Sequence, residues 1–190
     1  MSRSFTTVCA TVAMMFTGAL SCFGQVANYT IDNSHTSVIF GVSHIGMSVC
    51  YGRFCQVEGQ FTLGSASDNK FGMSIDANTV DTNDKKRDEH LRSPDFFNVK
   101  QFPKIEFAST KIEPNEKGLN VTGNLVMHGV TREITIPLEK LGEGKSPFGD
   151  FRAGFLAQFT LKRSDYDMKN MLQGIGDEIT ITLSFEGVKQ

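Results

Sequence analysis

The chain has 190 residues, 39 % hydrophobic and 21 % charged, enough for one sizeable core plus a short appendage. A formal net charge of −2 leaves no electrostatic footprint for nucleic acid or an anionic membrane. The aromatic set is skewed to 16 Phe and 3 Tyr with no Trp, which means either a Phe-rich core or the lining of an apolar cavity.

The first two dozen residues differ in character from the rest of the chain. Arg3 stands in a short head, an apolar run spans Val8 to Leu20, and small residues come next. Residues 1–24 read as a secretory signal peptide, too short and wrongly flanked for a membrane span. Cleavage fits after Ser21 or Gly24. Residues 25–190 then form one domain with a periplasmic or otherwise extracytoplasmic location. Lipoprotein anchoring at Cys22 is not expected, because Ala19 stands where the processing signal wants Leu.

Tyr29 to Asp32 suits a short leading strand. From Thr36 to His44, Val38, Phe40, Val42 and His44 fall on one face and Ser37, Ile39, Gly41 and Ser43 on the other, the period-two pattern of a half-buried strand. That row ends in a titratable group just before Gly46 lets the chain turn. Cys50 and Cys55 come next, in what would be an oxidising compartment. They are either bridged, if Gly52 bends or bulges the strand between them, or two free thiols. No histidine or second cysteine pair stands at the spacing a metal needs.

From Arg53 to Leu63 the residues Val57, Gly59, Phe61 and Leu63 share a face while Phe54 is out of phase, which argues for a bulge. Phe71, Met73, Ile75 and Ala77 mark the next strand. Residues 81–103 break the rhythm: they are dense in charge and end in Pro103. Thr82 or Asn83 can cap a short helix through Leu91, and Pro94 can start a second turn, giving a helical excursion near residues 83–98.

Alternation returns at Lys104–Thr110, at Leu119–Met127, and at Ile134, Ile136 and Leu138 across the turn His128-Gly129. Phe151, Ala153, Phe155, Ala157, Phe159 and Leu161 form the cleanest row, and its large-small order suits the taper of a small barrel. Ile179, Ile181, Leu183 and Phe185 close the series. About eight alternating segments joined mostly by turns predict an all-β fold and favour an eight-stranded antiparallel up-and-down barrel without open edges; periodicity alone does not separate a barrel from a sandwich. Such a barrel encloses room for packed side chains or one slim ligand.

No nucleophile elbow, phosphate loop, HExxH or dinucleotide fingerprint is present, so no catalytic residue and no cofactor is assigned. His44 is either a satisfied core histidine or a polar contact to a bound head group. In Arg87–Phe97, helical spacing brings Arg87, His90 and Leu91 together and sets Asp88 against Arg92. That is either a solvated helix with a surface ion pair or a flap over a cavity mouth, plugged by Phe96 and Phe97.

Taken in order, IDNSHTSVIFGVSHIGMS, GRF…VEGQF, RDEHLRSPDFF, FPKIEFAST, VTGNLVMHGVTREITIP, LKRSDYDM and GDEITITLSFEG resemble the YceI-like family. These are secreted bacterial proteins with a lipocalin-like barrel that bind polyisoprenoid chains and other long apolar molecules. The resemblance implies a pore for an isoprenoid tail lined by Val38, Phe40, Val42, Phe107, Leu125, Phe155, Phe159 and Ile181, with His44, Arg87, His90, Phe96 and Phe97 near its mouth. It also implies a long-chain lipid ligand carried without catalysis, transient membrane contact, and a homodimer as the form of any oligomer. Cys50, Tyr51, Cys55 and Asp167 depart from the family pattern. The rival readings are an enzyme using His44 or Asp165 on a lipid, and an interaction module whose barrel is filled by its own side chains. The carrier reading needs an elongated dry tunnel along the axis.

Overall fold

The computed structural model describes residues 26–65 and 67–190; the expected signal peptide, 1–24, lies outside them. Among the described residues, eleven strands and one α-helix succeed one another in order: β1 (Ala27–Ile31), β2 (Ser37–His44), β3 (Ser48–Phe54), β4 (Val57–Leu63), β5 (Lys70–Asp76), β6 (Val80–Asp81), α1 (Lys85–Arg92), β7 (Lys104–Asn115), β8 (Gly118–Met127), β9 (Val130–Lys145), β10 (Phe151–Lys162) and β11 (Ile175–Lys189). All strands belong to one antiparallel sheet. Eight of them, β1-β4-β5-β7-β8-β9-β10-β11, make a ring that closes where Tyr29 on β1 lies opposite Lys189 on β11.

The remaining strands, β2, β3 and β6, continue from β11 as a wall beyond that closure. β1 and β2 are one run of chain interrupted by a 3-10 turn at Asn33–His35. β3 and β4 are likewise one run, broken at Cys55 and Gln56, whose N–H groups both donate to Thr79 Oγ1 at 3.1 and 3.2 Å. This break takes the place of the bulge expected near Phe54 and lets Phe54 and Val57 both point inward. The barrel therefore has a closed end and an open, splayed end.

The closed end is solid. Tyr29 and Phe71 stack on either side of Phe61 with ring centroids 4.8 and 5.0 Å away, and Phe155 and Phe185 meet Phe61 edge-on at 5.6 and 5.8 Å. Gly187 makes the close approach possible: a Cβ there would sit 2.3 Å from Phe61 Cε1. The Tyr29 hydroxyl donates to Glu143 Oε1 at 2.7 Å, and burial raises its pKa above the ordinary phenol value. At the rim of this end Arg152 donates to Asp32 (2.8 Å), Asp150 (2.9 Å) and Glu186 (2.9 Å), tying β10, β11 and the turn after β1.

β7 and β9 run well past their predicted ends. Beyond Leu138, β9 carries Glu139, Lys140, Gly142, Glu143, Gly144 and Lys145, and its register against β10 shifts at Gly154/Phe155. Charge, glycine and a shifted register erase the alternation there, while the backbone ladder persists. α1 is capped by Asp84, whose side chain accepts from the Arg87 N–H at 3.0 Å, and not by Thr82 or Asn83. Asn83 occupies the left-handed region at φ 62°, so it belongs to the turn before the cap.

Candidate functional site

The open half of the barrel holds a cavity of about 690 Å³. Each wall is the continuation of an inward row. β2 supplies Val38, Phe40 and Val42, β3 supplies Cys50 and Phe54, and β7 and β8 supply Ile105, Leu125 and Met127. Phe159 and Leu161 come from β10, Ile179 and Ile181 from β11. Thr82, Leu91, Phe96 and Phe97 border it from the segment that joins β6 to β7, where β6 pairs only with β3. Phe97 meets Phe54 edge-on at 5.4 Å, and Phe54 lies 5.6 Å from Phe40. The volume lies within the range of pockets that bury a drug-sized ligand, about 300–1,000 Å³.

A buried polar lock fixes this side of the cavity. Asp88 accepts from the Thr82 N–H at 2.9 Å and from the Thr82 hydroxyl at 2.5 Å, while Arg87 Nε donates to the same hydroxyl at 2.8 Å and Arg87 NH2 to the Thr82 carbonyl at 2.6 Å. Asp88 is thus buried and satisfied by Thr82, in place of the surface ion pair with Arg92. Arg92 instead reaches the Val80 carbonyl at 3.3 Å. His90 pairs with Asp95 at 2.9 Å and packs edge-on against Phe96.

Opposite, Arg163 continues the inward phase of β10 past Leu161 and is only 4 % exposed. Its guanidinium donates to the carbonyls of Met168 (2.7 Å), Ile175 (2.9 Å) and Gly176 (2.9 Å), so it pins the loop between β10 and β11 against the cavity. Loss of solvent lowers its pKa from the ordinary arginine value. Arg163 lies within the segment LKRSDYDM, which carries the family resemblance without assigning this residue a role. The sequence signal for it is a charge standing in phase at the end of an inward row.

Of the residues expected to line the pore, Val38, Phe40, Val42, Leu125, Phe159 and Ile181 border the cavity. Phe155 and Phe107 do not. Phe155, 0 % exposed, is locked among the rings of Phe61, Phe71 and Phe185 at the closed end. Phe107 covers the inner side of Gly123, where a Cβ would come 2.6 Å from its Cζ. Both fill space. The tunnel along the axis is consequently a blind cavity, stopped by aromatic packing at one end and open at the other.

His44, Arg87, His90, Phe96 and Phe97 all border the cavity, the first three exposed at its rim and Phe96 buried. His44 is therefore not a core histidine. Cys50 and Cys55 are unbridged. The register of β2 against β3 runs without a shift through Gly52, so the two cysteines stay about 15 Å or more apart along the strand. Cys50 faces the cavity and Cys55 is exposed. His44 is not joined by Asp165, which is exposed and does not border the cavity. Among the described residues no three His, Cys, Asp or Glu side chains gather as a metal site requires. A deep apolar wall with its polar groups at the rim can hold the tail of an amphiphile and leave its head near water.

A family model described as a YceI-like domain matches residues 29–187. A UPF0312 protein of Pseudomonas paraeruginosa is 40 % identical over 184 residues, 94 % of this chain and 96 % of that one. Among solved structures, Burkholderia cenocepacia BcnA superposes with a TM-score of 0.74 at 22 % identity, over 82 % of this chain and 98 % of that one. A polyisoprenoid binding domain from Saccharophagus degradans, implicated in plant cell wall breakdown, gives 0.67 at 15 % identity over 85 % and 98 %. At those identities the two structures share the fold.

Proposed function

The chain belongs to the YceI-like family, and from that premise and the cavity we propose that it binds a long-chain isoprenoid lipid, polyprenyl or quinone-like, and carries or sequesters it outside the cytoplasm without making or breaking bonds. The observation that carries this reading is the blind cavity of about 690 Å³, walled mostly by apolar side chains and with His44, Arg87 and His90 exposed at its rim. Each methylene that leaves water for such a wall contributes about 0.8 kcal/mol. A C20 tail, even partly enclosed, would therefore retain strong binding after the cost of ordering it. The polyisoprenoid binding named for the Saccharophagus degradans domain supports this choice of ligand class. Residues Val38, Phe40, Val42, Leu125, Phe159 and Ile181 would hold the tail, and His44, Arg87 and His90 would stand near the head.

Native mass spectrometry of the purified mature protein, with organic extraction as a second step, tests the proposal. One bound isoprenoid per chain is expected, and protein that extracts empty and takes up no added polyprenol or quinone refutes it. Cys50 gives a second readout inside the cavity. In a variant where it is the sole thiol, its reaction with a maleimide is expected to slow about tenfold on loading.

A further inference from the structure

The rim of the cavity is not uniform. On one side α1 and its cap mix Lys85, Lys86 and Arg87 with Asp84 and Glu89. On the other side, where the charged Arg163 is buried, two stretches carry no formal charge: none of residues 37–52 is Asp, Glu, Lys or Arg, nor is any of residues 170–176. These two uncharged stretches are joined, since the Ile45 N–H donates to the Gly174 carbonyl at 2.7 Å and His44 lies opposite Ile175. Large apolar side chains project from both. Met47 is 84 % exposed, Ile45 54 %, Met171 52 % and Leu172 39 %, and Tyr51 stands out on the adjoining strand.

The tip is built to project. Ile45 (φ 45°) and Gly46 (φ 68°) form a two-residue turn in which Met47 N–H donates to the His44 carbonyl at 3.0 Å. A β-branched residue rarely adopts that backbone conformation, and Asn or Gly would be the usual occupant. An isoleucine held there, exposed, is poorly explained by folding alone.

We propose that Ile45, Met47, Met171 and Leu172 are a lip that docks the protein on the surface of a lipid bilayer and holds the mouth of the cavity against it. The inference rests on the lipid-binding reading above. Its own support is continuity and charge. His44, Met171 and Ile175 border the cavity as well as the lip, so an apolar chain passing between bilayer and cavity would remain against apolar side chains. A stretch entering the acyl boundary must lack formal charge, because charged side chains there are costly, and tyrosine suits the head-group level. A narrow convex hairpin tip suits insertion between lipids better than the flat, self-complementary patch that a second copy of the chain would need. The mixed charges across the mouth make this an insertion mechanism and not an electrostatic one.

The test is co-sedimentation of the mature protein with phosphatidylcholine vesicles at low and high salt. The protein is expected to bind at both. The double variant Ile45→Asp, Met47→Asp is expected to bind about tenfold or more weakly. The double variant Leu141→Asp, Phe148→Asp removes side chains that are equally exposed (59 % and 89 %) but lie at the closed end, and it is expected to bind as the wild type does. Circular dichroism melting confirms that both variants fold. The proposal is overturned by a wild type that stays in the supernatant, by equal losses in the two double variants, or by release at high salt. It is also overturned if light scattering shows a dimer that the lip variant splits while no vesicle binding is seen. Failure here with lipid still extracted from the purified protein would discard the lip alone, whereas vesicle binding by protein that never holds a lipid would discard the carrier reading and keep the lip.

Discussion

Along β10, from one end of the barrel to the other, the same row of side chains meets two different fates. Ala153, Phe155 and Ala157 are buried to 2 % exposure or less, while Phe159 and Leu161 on the same face are only half-buried and look into the cavity. β11 repeats this: Leu183, Phe185 and Gly187 are packed, Ile179 and Ile181 are not. Residue type does not separate the halves, because a phenylalanine serves in each. The pairing does. At the closed end β1 returns to β11, and Phe155 faces the rings of Phe61, Phe71 and Phe185 across a narrow bore. At the other end β2, β3 and β6 carry the sheet outward, a helical segment covers the gap, and among the described residues no ring pairs with Phe159. Hollow space in this fold comes from where the sheet stops closing on itself.

The largest expected effect tests that contrast directly. Phe155→Ala should cost about 3–5 kcal/mol of stability, the usual range for removing a fully packed ring. Phe159→Ala, whose ring already borders open space, should cost about 1 kcal/mol and lower lipid content instead. Urea unfolding gives the first quantity and quantitative extraction the second. Equal losses of stability at the two positions would show that the two halves are packed alike.

Next in size is the lock of the covering segment. Asp88→Ala strands the buried N–H and hydroxyl of Thr82, at about 2 kcal/mol in total. If the halves are separable, hydrogen exchange should quicken in residues 82–97 and bound lipid should leave faster, with the amides of β4 and β5 as protected as before. Uniform loosening would break the comparison. A smaller change in stability is expected from Val42→Phe, which adds volume to the hollow half: less than about 1 kcal/mol, against the 1–3 kcal/mol typical of overpacking a filled core. Lipid content should fall sharply all the same.

How far the sequence carries depends on the same geometry. Period-two rows at Val38–Val42, Ala153–Leu161 and Ile179–Phe185 make the strands and their faces readable, because alternation is a local property; closure into a barrel is carried by the order of the segments that resemble the family. The segments that carry the family resemblance point to the mouth, and Phe96 and Phe97 do border the cavity. Hidden from the sequence is whatever depends on neighbours across the sheet. Phe155 and Phe159 are indistinguishable in their own strand and differ only in what stands opposite. The long end of β9 is held by a ladder whose side chains give no pattern. Asp88 reads as half of a surface pair since its true partner, Thr82, precedes the helix and has no helical spacing to it. Arg163 breaks a purely apolar row, and only the carbonyls of a loop several residues on explain it.

The smallest effect concerns the rim of the closed end, where Asp32 plays a part comparable to that of Asp88 at the open end but in a more solvated setting. Ser34 donates to its Oδ1 at 2.6 Å, His35 Nδ1 lies 2.8 Å from Oδ2, and Arg152 donates to Oδ2 at 2.8 Å. These bonds, with Ser34 the leading cause, hold the Asp32 carboxyl well below the usual carboxylate range. A carboxyl whose pKa is depressed by folding contributes stability above its unfolded value, near about 3.9, and loses it as the pH falls toward the folded value. Asp32→Asn should therefore lower the melting temperature by a few degrees at neutral pH, and the gap to wild type should shrink steadily below about pH 4 as the pH falls toward the folded value. Because these bonds tie β10 and β11 to the turn after β1, lipid retention at neutral pH should not change. A gap of constant size down to the acid limit would mean that the substitution disturbs packing and not charge, and a variant that also sheds its lipid would mean that the closed end and the cavity are mechanically one.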